Sequence, residues 1–517
     1  MKKLSALFIP ICFETLFYML SGMVDTLMLS SVGDYAVGAV GTANSYIGMF
    51  IIMFSIISSG MMTVMTQNIG AGRPGIAYQA RQLGLIFNSV IGMGMSIFLF
   101  IFSENILDLI GIAGNLREPA MSYLEIVGGG CFLNALIPIF ASYLRAFGHT
   151  KQPLIATIIG NLVNFALNAV FLFALHKGVQ GVATATVISK VINLAIVIFF
   201  SCTLVKAGKN PERLSNRTVL SQIIRVGLPS AFESVLYNVA MMLVVKFLNQ
   251  MDTDGINVTA RSYAVQISNF SYCVGSALAQ ANAIMTGWHI GSGDIDACKR
   301  DTKKAAIIGV IVATCLETLF AVTAPWAMKL FTDNPDMVHI VTRLLAIDII
   351  LEVGRVTNLV YGQALKTSGD AVFPAVIAAV FMYVCAVGGT WMFGLHLGFL
   401  ATGAYIGLTC DECVRAVGMV LRWRSGQRRN WCDNILIPNV FQNVSAPYFR
   451  LLSQNSTYHI HHKCRKPRHN ALPDHYHDSP AMSHLSLDGG DGCYTRRVKQ
   501  AEYEQRCCSP GCDSCGH

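Results

Sequence analysis

"PICFETLFY" (residues 10–18) reads as a membrane helix with a carboxylate, Glu14, set among apolar side chains, and "PSAFESVLY" (229–237) repeats its Pro, Phe, Glu and Tyr at the same spacing. An acid is expensive in hydrocarbon, so two copies of such a segment suggest a duplicated architecture in which the acid faces something other than lipid. The rest of the chain agrees. Of 517 residues, 53% are hydrophobic and 13% charged, and the mean hydropathy is +0.49, far from the roughly one-quarter charged content of a soluble domain.

Apolar runs of about 20 residues, the length that crosses a ~30 Å hydrocarbon core, recur as far as about residue 421. The expected fold is all-α and integral to the membrane, with twelve helices near 4–30, 36–66, 82–102, 120–143, 154–175, 181–204, 228–249, 257–286, 305–326, 339–364, 371–394 and 399–421. The opening "MKKLSALFIPICF" resembles a signal peptide. Glu14 interrupts its apolar core and no small-residue cleavage site follows, so it is read as a retained first helix.

The internal echo extends along the chain. "NIGAGRPGIAYQAR" (68–81) matches "HIGSGDIDACKR" (289–300), and "LRAFGHTKQPLIA" (144–156) matches "LKTSGDAVFPAVIA" (365–378), each pair about 220 residues apart. Two six-helix lobes follow, with an N-terminal lobe at 1–204, a cytoplasmic linker at 205–227 and a C-terminal lobe at 228–430. Six is even, so both halves enter the membrane in the same sense, related by a pseudo-two-fold axis along the membrane normal, as in secondary transporters with a cavity between lobes.

Every second loop is basic, for example Arg73 and Arg81, Arg213 and Arg217, or Lys299, Arg300, Lys303 and Lys304, whereas "NQMDTDG" and its counterparts carry few cations. Loops rich in Lys and Arg stay in the cytoplasm, which places both termini there in a multi-pass protein of the cell membrane. This asymmetry and the tail account for the +8 net charge, so no nucleic-acid partner is expected.

Ionisable groups inside the bilayer mark the candidate sites. At about 100° per residue, Glu14, Tyr18, Ser21 and Asp25 fall within about 60° of one another on the first helix. The seventh helix begins the same stripe with Glu233 and Tyr237, then places Ala240 and Val244 where Ser21 and Asp25 would fall, so Asp25 belongs to the N-terminal half alone. Asn161, Asn164 and Asn168 form one face of the fifth helix. Their amides suit either interhelical hydrogen bonding or, beside one carboxylate, a desolvated Na+ or a protonatable acid. The tenth helix carries Asp348, Glu352, Arg355 and Asn358, spaced so that Arg355 pairs with Glu352 and reaches Asp348, a gating or structural group. A lone buried acid titrates and a paired one is locked, which favours Asp25 and Glu233 for function. The plainer alternatives put Asp25 at the interface, Glu14 at headgroup level, and Pro10 and Pro229 in the first turn of their helices.

These segments resemble one family, the multidrug and toxic compound extrusion (MATE) transporters. The resemblance rests on "GMVDTLMLSSVGDYAVGAVG", "LRAFGHTKQP", "GNLVNFALNAVFLF", "GVQGVATATVISK", "GLPSAFES" and "LRWRSG", in that order over residues 4–430. It implies export of small organic, often cationic, compounds driven by inward Na+ or H+, with no cofactor beyond the coupling ion. Asp25 matches the family's first-helix acid, Asn164 an Asn of the fifth-helix motif, and Thr186 a sixth-helix Thr near the same site. Asn168 stands where some members have a second Asp, which leaves Asp25 as the sole acid of that site with Glu14 as a helper. Glu233 resembles the seventh-helix acid of other members.

After residue 430 the composition turns polar and rich in His and Cys. The favoured reading of 431–517 is a disordered appendage; Cys508, Cys512, Cys515 and His517 offer four metal ligands in no recognised module. "CDEC" (410–413) is read as packing. No nucleophile–base constellation or cofactor fingerprint suggests an enzyme. Two alternatives remain: a lipid-linked sugar flippase of related architecture, which would need several buried cations where only Arg355, Lys190 and Lys246 are evident, and a metal-sensing membrane protein acting through the tail. The expected partners are small organic substrates and the lipid bilayer, with the chain acting as a monomer.

Overall fold

The computed structural model describes residues 2–110, 114–205, 212–251, 255–330, 332 and 334–425. Every regular element among them is helical. The twelve long segments are α1 (Lys2–Ser30), α2 (Asp34–Gly70), α3 (Pro74–Ile101), α4 (Arg117–Gly128 and Phe132–Ala146), α5 (Lys151–Ala174), α6 (Gly178–Leu204), α7 (Asn216–Met251), α8 (Ile256–Ser292), α9 (Ile295–Ala327), α10 (Pro335–Thr367), α11 (Val372–His396) and α12 (Leu400–Ser425). They form two six-helix lobes. Eight are individually long and apolar enough to cross a membrane, and the bent α4 makes nine. The other three, α8, α10 and α12, have equivalent length but are diluted by the polar residues described below.

Each helix falls on an expected span, but several run further at the end that carries the basic loops. There α7 begins at Asn216 and takes in much of the expected 205–227 linker, and α9 begins at Ile295 instead of about 305. Apolar length records only the part of a helix that meets hydrocarbon, so polar turns beyond the bilayer are invisible to it. Pro10 and Pro229 are not first-turn residues: both lie well inside continuous helices, where each removes a ladder hydrogen bond.

The repeat extends to helix irregularities. The fifth span widens into a π-helix at Val170–Ala174, and its repeat partner α11 does so at Met382–Val387 and Thr390–His396. In α4 a π-turn at Leu124–Gly128 precedes a 42° bend, where the Phe132 N–H donates to Ser96 Oγ at 2.8 Å in place of a ladder bond. Such widened turns re-aim side chains and are frequent beside functional sites.

The lobes meet backbone to backbone at the end bearing the basic loops. Gly60 of α2 abuts the Ile223 carbonyl of α7, and Gly227 of α7 abuts that of Ile56, so closely that a Cβ on either glycine would strike the opposing oxygen. Gly287 and Gly291 of α8 pack in the same way on Thr66 and Gln67 of α2. Gln67 Nε2 donates to the Thr367 carbonyl at 2.7 Å, and Trp288 Nε1 to that of Ala146 at 2.9 Å. Helix α1 touches both lobes: Leu4, Leu7 and Ile11 join the buried cluster around Leu278, Val356 and Trp423, while Met28 and Leu29 belong to the N-lobe core.

Gly60→Val and Gly227→Val should each force this closed seam apart at an overpacking cost of about 1–3 kcal/mol. Thermal melts of detergent-purified protein should show both variants melting several degrees lower, whereas Gly22→Ala, with open space around its Cβ, should leave the melt unchanged.

Candidate functional site

In the N-lobe, Asp25 is half-buried near the far end of α1, opposite the basic loops. Its Oδ1 accepts a hydrogen bond from Asn168 Nδ2 at 2.7 Å, and the same nitrogen reaches Asn164 Oδ1 at 3.2 Å. Both asparagines are buried, and Asn168 Oδ1 has no hydrogen-bond partner among the described residues. One amide therefore draws two oxygens together and offers a third. The π-turn that opens at Val170 follows this pair immediately.

Asn161 does a different job from its neighbours, since its Nδ2 donates to the Phe17 carbonyl at 2.8 Å and ties α5 to α1. Thr186 is buried, with its hydroxyl donating to Val182 O of its own helix at 2.9 Å. Lys190 of α6 is half-buried and lies within electrostatic range of Asp25.

Two expected lone acids are paired. Glu14 Oε1 accepts from Arg145 Nη2 of α4 at 2.5 Å, with both side chains less than one-fifth exposed. Glu14 is thereby an ion-paired strut between α1 and α4. Glu233 forms an ion pair with Lys366 of α10 at 2.8 Å, so it is not the C-lobe's unpaired acid. Tyr18, set between Glu14 and Asp25 on the expected polar stripe, is 73% exposed, and the stripe does not face the lobe interior as a unit.

The C-lobe holds a larger polar cluster. Arg355 meets Glu352 at 2.7 Å and Asp348 at 3.6 Å, as the spacing predicted. Sequence reasoning missed Glu317 of α9, which is fully buried, accepts from Ser268 Oγ at 3.1 Å and lies within hydrogen-bond reach of Asp348. It also missed the role of "CDEC". Arg415 grips Asp411 at 2.6 Å and Glu412 at 2.8 Å, and Glu412 in turn accepts from Asn358 Nδ2 at 2.9 Å. These acids therefore belong to an ion network and are not inert packing. Glu317 was visible as an acid inside the apolar run 305–326, and Arg415 as the i+3 and i+4 partner of Glu412 and Asp411.

Asp348, Glu352, Asp411 and Glu412 share the guanidinium groups of Arg355 and Arg415, and Glu317 beside Asp348 has no ion pair among the described residues, which leaves the cluster rich in acid. Glu317 Oε2 and Asp348 Oδ2 are buried with no hydrogen-bond donor among the described residues. Cations away from solvent are more numerous than the sequence suggested: the buried Arg415 and the half-buried Arg145 and Lys366 join the half-buried Arg355, whereas Lys246 is exposed. Cys508, Cys512, Cys515 and His517 lie outside the described residues.

Comparison with known proteins agrees with this architecture. The MatE family profile matches residues 10–170 and 229–392. A Bacillus subtilis (strain 168) protein described as the uncharacterized transporter YisQ is 32% identical over 422 residues, covering 80% of this chain and 92% of its own. The probable multidrug resistance protein NorM of Thermotoga maritima is 21% identical, covering 82% and 92% respectively. A solved outward-facing multidrug resistance MATE family transporter of the MOP superfamily superposes with a TM-score of 0.75 at 21% identity, covering 83% of this chain and 97% of that one.

Removing one member of the Glu14–Arg145 pair should strand the other charge, at about 3–5 kcal/mol for a buried pair. Arg145→Met is expected to lower both the yield of monodisperse protein and its melting temperature. Glu14→Gln combined with Arg145→Met should recover most of both, as measured by size-exclusion chromatography and thermal melts.

Proposed function

The chain belongs to the MatE family of multi-pass membrane transporters, and from that premise we propose that it exports organic, often cationic, compounds in exchange for inward H+ or Na+ by alternating access. The observation that carries this reading is the convergence of Asp25, Asn164 and Asn168 on a single amide nitrogen. One carboxylate supported by neutral amide oxygens matches the chemistry of a proton or a desolvated Na+.

A cation at Asp25 cancels the charge that holds Asn168 Nδ2 and so loosens the hydrogen bond between α1 and α5. The effect is transmitted because α1 belongs to both lobes: Asp25 engages the N-lobe, while Leu4, Leu7 and Ile11 sit in the C-lobe cluster. Repacking α1 thus changes the fit between the lobes. With the basic loops in the cytoplasm, the glycine seam closes the inner side and cargo leaves from the outer one. The Glu317 and Asp348 carboxyls offer a second place for a cation, since two acids within hydrogen-bond reach can share one proton or ion, which halves their combined charge. The protein works as a monomer in the cell membrane and needs no cofactor.

Ethidium efflux from cells or proteoliposomes, with Na+ and pH gradients imposed separately, tests this. Asp25→Asn should reduce efflux by about tenfold or more, the scale of losing one charge-assisted contact, and should abolish its response to the driving ion. Unchanged efflux with unchanged ion dependence would sink the assignment. Deleting residues 432–517 should leave efflux intact, against a metal-sensing role for the tail.

A further inference from the structure

The α7 face that meets α2 at the seam carries Ile223 and Gly227. At about 100° per residue, Asn238, Met241, Val245 and Asn249 fall within about 40° of Gly227, so this face continues towards the opposite end of the helix. There a cleft of about 660 Å3 opens between α7 and α8, within the roughly 300–1,000 Å3 of small-molecule sites. Its lining includes two cations, Lys246 and Arg261, the carboxamides Asn238 and Asn249, and the thioethers Met241 and Met242, with no carboxylate among the described residues.

Arg261 is unlike the buried cations around it. Arg355, Arg415 and Lys366 each hold a carboxylate within 2.8 Å. Arg261 is half-buried, its Nη2 faces Met241 Sδ at 4.0 Å, and its Nε is buried with no hydrogen-bond partner. Lys246 is exposed and forms no ion pair among the described residues. A guanidinium with no acid among the described residues, on an apolar wall beside the Asn249 carboxamide, presents the planar fork that binds a carboxylate or sulfonate. Asp252 and Asp254, in the loop that joins the two helices, lie outside the described residues.

We propose that this cleft is an anion subsite on the transport path, taking the carboxylate or sulfonate of an organic cargo, and the assignment rests on the transport reading above. Arg261 anchors the anion, Lys246 draws it in at the rim, and the methionines hold the apolar body. The cargo range then includes anions and zwitterions as well as cations.

Binding of fluorescein, an organic anion, and ethidium, a cation, to the full chain in phosphatidylcholine nanodiscs tests this by fluorescence anisotropy. The combined Arg261→Gln and Lys246→Gln variant should bind fluorescein about tenfold or more weakly, and Arg261→Lys should fall between it and the unsubstituted chain, since the charge stays and the planar fork is lost. Ethidium binding should stay within about twofold in both, which also reports that they fold. Fluorescein binding that ignores the double substitution would overturn the subsite, as would no saturable binding, the result if the loop acids neutralise the cations. Equal loss of both probes, with Arg261→Lys as impaired as the double variant, would overturn it too. Displacement of fluorescein by phosphatidylglycerol added to the discs would assign the cleft to a lipid headgroup and refute the cargo role. Ethidium efflux by the unsubstituted chain is a separate readout: its failure would strike the transport reading and leave the measured anion binding in place.

Discussion

A charge within hydrocarbon costs several kcal/mol unless another group meets it, and this constraint organises the interior of both lobes. Glu14 is met by Arg145, Glu233 by Lys366, Glu352 by Arg355 and Asp411 by Arg415, and each pair fastens two turns or two helices. Asp25 and Glu317 differ in kind from these. The hydrogen-bonding partner of Asp25 is a neutral amide, with Lys190 acting only through space, and Glu317 accepts from the Ser268 hydroxyl. An amide stabilises a carboxylate without cancelling its charge, whereas the arginine or lysine beside each paired acid does cancel it.

The two lobes meet the constraint differently despite their common plan. In the N-lobe a few amides and one acid lie between α1 and α5 beside a π-turn. In the C-lobe, five acids and two arginines drawn from α9, α10 and α12 form a polar block of two hydrogen-bonded groups, one of them tied to serines of α8. Removing any one charge from such a block strands its neighbours, so the C-lobe is expected to be the stiffer half. The block is nevertheless left rich in acid around Glu317 and Asp348, where a proton or cation would complete it.

Between the lobes the chemistry is of another sort. The seam of α2 against α7 and α8 is made largely by glycines set against backbone carbonyls and the Thr66 side chain, with Gln67 and Trp288 adding one hydrogen bond each across the lobes. Contacts of this kind let rigid bodies separate and close again, because little is reordered inside either body. Helix α1 shares a core with both partners and carries Asp25, held by the Asn168 amide, so a single helix spans the candidate site and both cores.

The sequence by itself determined the architecture. Hydrophobic length fixed twelve spans, the echo of "PICFETLFY" in "PSAFESVLY" fixed two like-oriented halves, and the i, i+3 and i+4 steps on α10 predicted the Arg355 pairs, because these are properties of single helices and of their order. Asp25 and the Asn164–Asn168 face were legible in the same way. Which acids are free was decided only by tertiary structure. Glu14 and Glu233 look alike in the chain and neither has a cation at i±3 or i±4 on its own helix, yet their cations come from α4, 131 residues away, and from α10. Helical spacing carries no information about a partner on another helix, so the pairing of Glu14 and Glu233, the entry of Glu317 into the C-lobe block and an Arg261 with no acid partner among the described residues all emerged from packing.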